Sequence, residues 1–359
     1  MTRLLLAHYV KRMVRIKHLV WSILLFLGIT GLSFAETTVL VFIVDGLQRD
    51  AVKVAAANGA VNLKFLMDNG VGVEEVYSTS PAPRLYLPDG SLPWGTTTSG
   101  NVAIHTGTHV FESRQMDDIF LSARRAHIKS VFAGGAENYR EFTTPDFCYF
   151  GGLADSVVVR HGIDHFKNDG VRLIRLHLQQ IRESWTGPVD KVIPGSKYQQ
   201  ALLEVDGLLG KLLQTFKSAG VWDSTYVIIG ADHGMGNSER SSHPPSVRFS
   251  WMPVMIFYGP GIKKGATIPY AETPDIAIMV NSFFHLPPLR GHTDPAVTIE
   301  PKGTTGTFLS NIFEGNPREI NHPKLIRRYL ESKNWTPSDD YLEYREAMIG
   351  LIKELIQKK

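Results

Sequence analysis

Thr225-Tyr226-Val227-Ile228-Ile229-Gly230-Ala231-Asp232-His233-Gly234-Met235 is the stretch on which the reading of this chain turns. Its first half is a β-favouring, apolar run with no regular polar alternation. Such a run is expected to be buried on both faces of a sheet. It leads into Asp232 and His233, after which Gly234 lets the backbone turn away. In an open α/β sheet, residues at the carboxyl ends of strands line the ligand crevice. Asp and His are both good metal ligands. The pair therefore predicts a site at the sheet rim, provided that other strand ends supply partners.

A second run of this kind, Thr37 to Val44, ends in Asp45-Gly46. A carboxylate there is expensive to bury unless it is paired or bound to a cation. The other reading is a turn-forming Asp-Gly, or a cap of the helix expected from near Arg49. Asp50 to Asn69 reads as a helix interrupted at Asn58-Gly59, and Val71 to Tyr77 as a strand. Ser78 to Gly95 is a Pro-, Ser- and Gly-rich irregular loop, a class that is often functional. It delivers Thr96-Thr97-Thr98-Ser99-Gly100-Asn101-Val102-Ala103-Ile104-His105-Thr106-Gly107, a helix that begins with a run of hydroxyls. Hydroxyls at a helix N-terminus meet free backbone N–H groups and the positive end of the helix dipole. That environment stabilises an alkoxide and binds anionic oxygens. Ordinary capping explains one hydroxyl but not the run of them.

The rest of the chain continues the alternation of an α/β fold. Ser122 to Ala126 is helix-like and Lys129 to Ala133 a short strand. His161, Asp164 and His165 are expected on a surface loop, and Gly170 to Leu178 is apolar with basic interruptions. Tyr198 to Ala219 is the strongest helix, with an apolar stripe from Tyr198 to Phe216 and Gly220 at its C-terminal end. Asp206 within it is expected to be structural. Met252 to Tyr258 reads as a buried strand, and Thr273-Pro274 as the N-cap and first position of a last core helix.

Taken together, strand-Asp45-Gly46, Thr97 nine residues before Thr106-Gly107, and strand-Asp232-His233-Gly234-Met235 resemble the alkaline phosphatase superfamily over about residues 37–290. The resemblance implies a three-layer α/β/α sandwich with a mostly parallel central sheet. It implies Thr97 as the nucleophile of a covalent phospho-enzyme, and Asp45, Thr97, Asp232 and His233 as ligands of a divalent metal, zinc before others. His243 matches by position a metal-binding His that related phosphatases and mutases carry before a Pro-Val-type strand. One departure stands out. Similar enzymes carry an Asp, then a His four residues later, to hold a second metal. Here one alignment places Arg182 and Thr186 at those positions and another places Gln180 and Ser184. Asp190, the next carboxylate, has Pro194 four residues on. One metal site is therefore expected in full, and a second is not.

The expected function is a phosphoric ester hydrolase, either phosphatase or phosphodiesterase, acting on a small-molecule phosphoester. Near Thr97 there is no Cys/Ser-x-Pro-x-Arg motif of the sulfatases. Asp117-Asp118 stand where nucleotide-cleaving relatives often carry an Asn, which argues against a diester substrate. The alternative is a non-catalytic or divergent binding protein that keeps the fold with an incomplete two-metal site.

Residues 1–35 differ from the rest. Arg3, Lys11, Arg12, Arg15 and Lys17 give positive charges without an acidic residue, followed by the apolar run Leu19 to Phe34 and the small-residue site Ser33-Phe34-Ala35. This pattern predicts a signal peptide cleaved before Glu36, and hence a periplasmic or secreted protein. Membrane attachment follows only if that leader stays uncleaved. Of the 38 Lys and Arg, five lie in it, leaving 33 against 35 Asp and Glu, so no nucleic-acid footprint is expected. Cys148 is the single cysteine, so no intramolecular disulfide forms. The expected organisation is a leader (1–35), a catalytic domain (36–302) and a C-terminal extension (303–359) with an amphipathic helix.

Overall fold

The computed structural model describes residues 37–78, 96–108, 116–136, 144–185, 190–235, 243, 250, 252–291 and 306–315; of Thr96 to Ser99 and of Asp190 it describes the backbone alone. The expected leader, nearly all of the loop at 78–95, and the amphipathic C-terminal segment lie outside these residues.

β1 (Thr38–Val44) is buried at every position. Leu40, Phe42 and Val44 point into one apolar core, and Val39, Val41 and Ile43 into another. Both faces of the strand are therefore covered, which is why it carries no polar alternation. The other strands are β2 (Val71–Tyr77), β3 (Ser130–Gly134), β4 (Phe147–Phe150), β5 (Leu173–Leu178), β6 (Thr225–Gly230), β7 (Met255–Tyr258) and β8 (Ala266–Glu272). They form one sheet in the order β4-β3-β5-β1-β6-β7-β2-β8. Only β7 runs antiparallel to its neighbours.

One face is covered by α1 (Arg49–Ala57), α2 (Val61–Asn69), α5 (Asp155–Asp169) and α7 (Lys197–Ser218), and the other by α3 (Thr96–Thr106), α4 (Ile119–Arg125) and α8 (Asp275–Phe283). One short turn, α6 (Gln180–Glu183), follows β5. This is the three-layer α/β/α sandwich with a mostly parallel sheet.

Four local expectations change. The helix of 50–69 is two helices, broken where Gly59 takes a left-handed φ of +116°. Residues 155–169 form a helix, not a loop. His161 and His165 lie on it four residues apart and serve packing. The His161 ring stacks on Tyr149 at 3.7 Å, and His165 bridges the Tyr149 hydroxyl (2.7 Å) and Asp169 (2.6 Å). β8 contains Pro269, which disguised it; at the sheet edge the missing N–H is tolerated. α8 starts one residue later than expected, with Pro274 at the cap position and Asp275 accepting from Glu272 N at 2.7 Å. Farther on, Leu309 and Ile312 are buried in the same core as α8, and Thr307 N donates to Asp275 at 2.8 Å.

α7 begins at a Ser196 cap and buries the apolar stripe from Tyr198 to Phe216. Asp206 is buried on it as well. Its carboxylate accepts from Leu63 N (2.7 Å), Asn62 N (3.2 Å) and Asn62 Nδ2 (2.9 Å). It thereby caps α2, whose own cap residue Ala60 offers no side-chain acceptor. Asp206→Ala leaves those N–H groups without their acceptor, and is expected to lower the unfolding free energy by about 2–3 kcal/mol in urea denaturation. A loss below about 0.5 kcal/mol would show the cap to be dispensable.

Candidate metal centre

β1 and β6 are neighbours in parallel register, with Ile43 opposite Gly230. Asp45 lies two residues beyond Ile43 and Asp232 two beyond Gly230, so the pairing brings the two carboxylates together at the carboxyl rim. Gly46 turns the chain away after Asp45 with a left-handed φ of +73°. α3 then meets this rim from one face. A Cβ at Gly100 would overlap the Asp232 carbonyl oxygen, so the first turns of α3 approach Asp232 closely only because glycine stands there. Thr97 belongs to the first turn by its backbone. Its hydroxyl lies outside the described residues.

Asp45, Asp232 and His233 are fully buried and offer three donor atoms within 4.8 Å of one another. His233 Nε2 lies 3.2 Å from Asp45 Oδ1 and 3.6 Å from Asp232 Oδ2. Its Nδ1 is 2.7 Å from the Gly234 carbonyl oxygen, an acceptor, so Nδ1 carries the proton and the Nε2 lone pair faces the carboxylates. Among the described residues, neither oxygen of Asp45 has a hydrogen-bond partner. Buried carboxylate oxygens without donors are costly in a site built from protein alone. Around a cation with bonds of about 2.0–2.2 Å, tetrahedral ligands sit about 3.3–3.6 Å apart, close to the separations found. The donor set therefore fits a divalent metal.

The electrostatics agree. Burial raises the Asp232 carboxyl, the adjacent Asp45 charge raises it further, and the result is a pKa of about 7. Burial opposes ionisation of Asp45 too, but His233, His177 and Arg182 hold it below the usual carboxylate range. Burial also lowers His233, keeping the imidazole neutral as a ligand must be.

The remaining expected residues are distributed as follows. His243 packs its ring against that of His233, with centroids 3.9 Å apart, beside the three-residue group and not in it. Burial and the neighbouring His233 lower its pKa to about 3. Gln180 and Ser184 supply nothing to the rim. Gln180 Nε2 turns out to Glu204, and Ser184 Oγ bonds the Gln180 carbonyl at 2.8 Å. Arg182 does reach the site, with Nη1 3.9 Å from Asp45 Oδ2. Its Nε is buried without a hydrogen-bond partner among the described residues.

Two residues were missed, having been read as basic interruptions of an apolar run. Arg175 and His177 on β5 are fully buried beneath α3. Arg175 donates to Asn101 Oδ1 (2.5 Å), His105 Nε2 (3.2 Å) and the Leu176 carbonyl (2.5 Å), and stacks over Phe132 at 4.8 Å. His177 Nε2 lies 3.7 Å from Asp45 Oδ2 and 3.9 Å from Asp232 Oδ2. The readable signal was their period-two spacing in a strand buried on both faces, which requires partners for each.

With this geometry in place, comparison with known proteins is informative. The Sulfatase family model matches residues 192–294, the span that holds Asp232, His233 and His243. That match supports a place for the chain in the alkaline phosphatase superfamily. No curated protein sequence gives a significant match. Among solved structures, murine ectonucleotide pyrophosphatase/phosphodiesterase 5 superposes with a TM-score of 0.52 at 16% identity, over 70% of this chain and 95% of that one. The phosphonate monoester hydrolase of Agrobacterium radiobacter gives 0.56 at 14% identity, over 82% of this chain and 83% of that one. A protein in the alkaline phosphatase superfamily from Vibrio parahaemolyticus gives 0.50 at 14% identity, over 69% of this chain and 66% of that one. At such identities the structural likeness speaks for the superfamily fold; the activity has to be argued from the site.

The raised Asp232 carboxyl gives a pH prediction. Cation binding displaces the proton that Asp232 holds below about pH 7. Affinity for Zn(II) should therefore rise with pH by up to about tenfold per unit below pH 7 and level off above it. Calorimetric titration in buffers of different protonation enthalpy measures the released proton, and a flat affinity between pH 5.5 and 7 would contradict the assignment.

Proposed function

We propose that the chain is an exported, metal-dependent phosphoric ester hydrolase with Thr97 as its nucleophile. The observation that carries this reading is the buried Asp45–Asp232–His233 group at the rim, beside the first turns of the helix that carries Thr97. Two carboxylates and an imidazole are a donor set that suits zinc. When bound, such a cation lowers the pKa of a nearby hydroxyl and offsets charge on phosphoryl oxygens.

The residues of the chain do the rest. Thr97 Oγ attacks phosphorus in line, losing its proton to solvent. The new P–O bond forms as the bond to the leaving oxygen breaks, and that oxygen takes a proton from water. Water then hydrolyses the phosphothreonine. The free N–H groups of the first turn of α3, at the positive end of its dipole, suit the non-bridging oxygens. Arg182 is the side-chain candidate for the same oxygens, because its buried Nε still has a hydrogen bond to give. Export is supported by the charged-then-apolar pattern of residues 1–35.

Monoesters are favoured over diesters. Asp117 is held bidentately by Arg125 at 2.7 and 2.8 Å, and Asp118 caps α4 through Leu121 N at 2.6 Å. Both are thus committed to structure. The second reading, a binding protein without turnover, is favoured by one observation: Gln180 and Ser184 bring no ligand for a second cation.

Zinc analysis of the purified protein, with assays on p-nitrophenyl phosphate, bis-p-nitrophenyl phosphate and p-nitrophenyl sulfate, separates these readings. The expected result is zinc-dependent turnover, fastest on the monoester, that falls by about a thousandfold or more in Thr97→Ala. Turnover indifferent to Thr97, or faster with the sulfate, sinks the nucleophile or the ester class; no turnover despite bound zinc leaves the binding protein. A second variant addresses Arg182. Arg182→Lys keeps the charge but loses the planar fork, and should weaken inhibition by inorganic phosphate by about tenfold with zinc content unchanged. Unchanged inhibition would remove Arg182 from the phosphate site.

A further inference from the structure

The layer between α3 and the sheet contains a histidine presented to the carboxylates in the same manner as His233. His177 Nδ1 lies 3.0 Å from Asn101 Oδ1. The orientation of that amide is fixed by its other contacts. Asn101 Oδ1 accepts from the Arg175 guanidinium at 2.5 Å, and Asn101 Nδ2 donates to Asp232 Oδ2 at 3.2 Å. Reversing the amide would set its NH₂ against a group that only donates, and its oxygen against a carboxylate. The nearest atom to His177 Nδ1 is therefore an acceptor; the Arg175 guanidinium also lies 3.5 Å from Nδ1, at the limit of hydrogen-bond reach, so the shorter contact decides and Nδ1 carries the proton. In the neutral ring the Nε2 lone pair then points at Asp45 Oδ2 and Asp232 Oδ2, 3.7 and 3.9 Å away. His233 shows the same pattern, with Nδ1 donating to the Gly234 carbonyl and Nε2 facing Asp45 Oδ1 and Asp232 Oδ2. A ring N–H anchored on an oxygen acceptor, with the other nitrogen turned to anionic ligands, is the arrangement that orients metal-binding histidines.

We infer that His177 is a fourth protein ligand of the cation, entering from the Asp45 Oδ2 side, with Asn101 as its positioning residue. Asp45 turns one oxygen to each imidazole, while Asp232 Oδ2 faces both. Arg175 acts one step farther out by fixing the Asn101 amide. This inference rests on the reading of Asp45, Asp232 and His233 as metal ligands and adds a donor from β5 to it.

The test measures metal binding and needs no turnover. Zn(II) affinity of the full chain is measured by competition with a chromophoric chelator for the unaltered protein, His177→Ala, His177→Gln and Asp232→Asn. Melting in EDTA confirms that each variant is folded, and the zinc-induced rise in Tm gives a second readout. The expected result is a loss of affinity of about 100-fold in both His177 variants, with a smaller zinc-induced Tm rise and an altered Co(II) absorption band. If the unaltered protein binds no Zn(II), the metal-site reading itself fails. If it binds Zn(II), Asp232→Asn abolishes binding and both His177 variants stay within about threefold of the unaltered protein, the metal site stands and His177 is not its ligand. Should His177→Ala not fold, the His177→Gln affinity and Co(II) spectrum decide alone.

Discussion

The arrangement depends on two carboxylates, Asp45 and Asp232, buried together at the ends of neighbouring parallel strands. At an effective dielectric near 20, two unit charges about 4–5 Å apart repel by about 3–4 kcal/mol. The protein meets this unevenly. Asp45 is surrounded by His233, His177 and Arg182 and favours the charged form, whereas Asp232 is driven to hold a proton near neutrality. Yet among the described residues none gives the Asp45 oxygens a hydrogen bond. Imidazoles whose second nitrogen is already committed cannot supply one while neutral. The groups at this rim are mutually satisfied once a cation stands among them, and that is the strongest physical argument for metal chemistry here.

Holding two like charges together requires stiffness elsewhere. The pairing of β1 with β5 and β6 fixes Asp45 between both sets of partners, and the backbone N of Asp45 continues the ladder by bonding the Leu178 carbonyl at 2.8 Å. α3 is locked from above in two ways. Gly100 permits close approach to Asp232, while Arg175 and His177 engage Asn101 and His105 from the sheet. Burial holds His105 neutral, and the guanidinium of Arg175 acts in the same direction, since a ring nitrogen that accepts its N–H cannot also carry a proton. A buried polar layer of this kind is sensitive to the loss of any member, because each lost partner strands another. The helix carrying Thr97 is therefore tied to the strand end that carries Asp232 through both its backbone and its side chains.

What was legible in the sequence follows from how each residue announces itself. β1 and β6 declare themselves through unbroken apolar runs, and the residues just beyond them, Asp45, Asp232 and His233, inherit their position from that. Asp206 was legible as structural, although its role as a cap for another helix was not, because the N–H groups it accepts from lie 143 and 144 residues away in sequence. β8 was hidden by Pro269, which the edge position excuses. His161 and His165 carry the helical spacing of four residues, which their polar surroundings obscured. Arg175 and His177 were the costly omission. In an eight-strand sheet with both faces covered, an inward Arg and His on a central strand can exist only within a network, and which network depends on α3, seventy-odd residues away.

The departure around residues 179–186 takes on a different meaning in this light. Of the positions that align with the second cation's ligands in similar enzymes, Gln180 turns toward Glu204 and Ser184 bonds within its own helix, while Thr186 lies outside the described residues. Asp155 pins the start of that turn by accepting from Gln179 N and Gln180 N at 2.8 and 3.1 Å, so the backbone there is built firmly without ligands. The groups that approach Asp45 Oδ2 instead are His177 and Arg182. A guanidinium and a cation differ in what they can do for an ester. Both offset phosphoryl charge, but only a Lewis acid binds the leaving oxygen directly; a guanidinium can offer that oxygen no more than hydrogen bonds. On the proposed reading, a single cation held by Asp45, Asp232 and His233 would serve the nucleophile. On the same reading, departure would be left to hydrogen-bond donors and solvent, an arrangement suited to esters whose leaving group is already a stable anion.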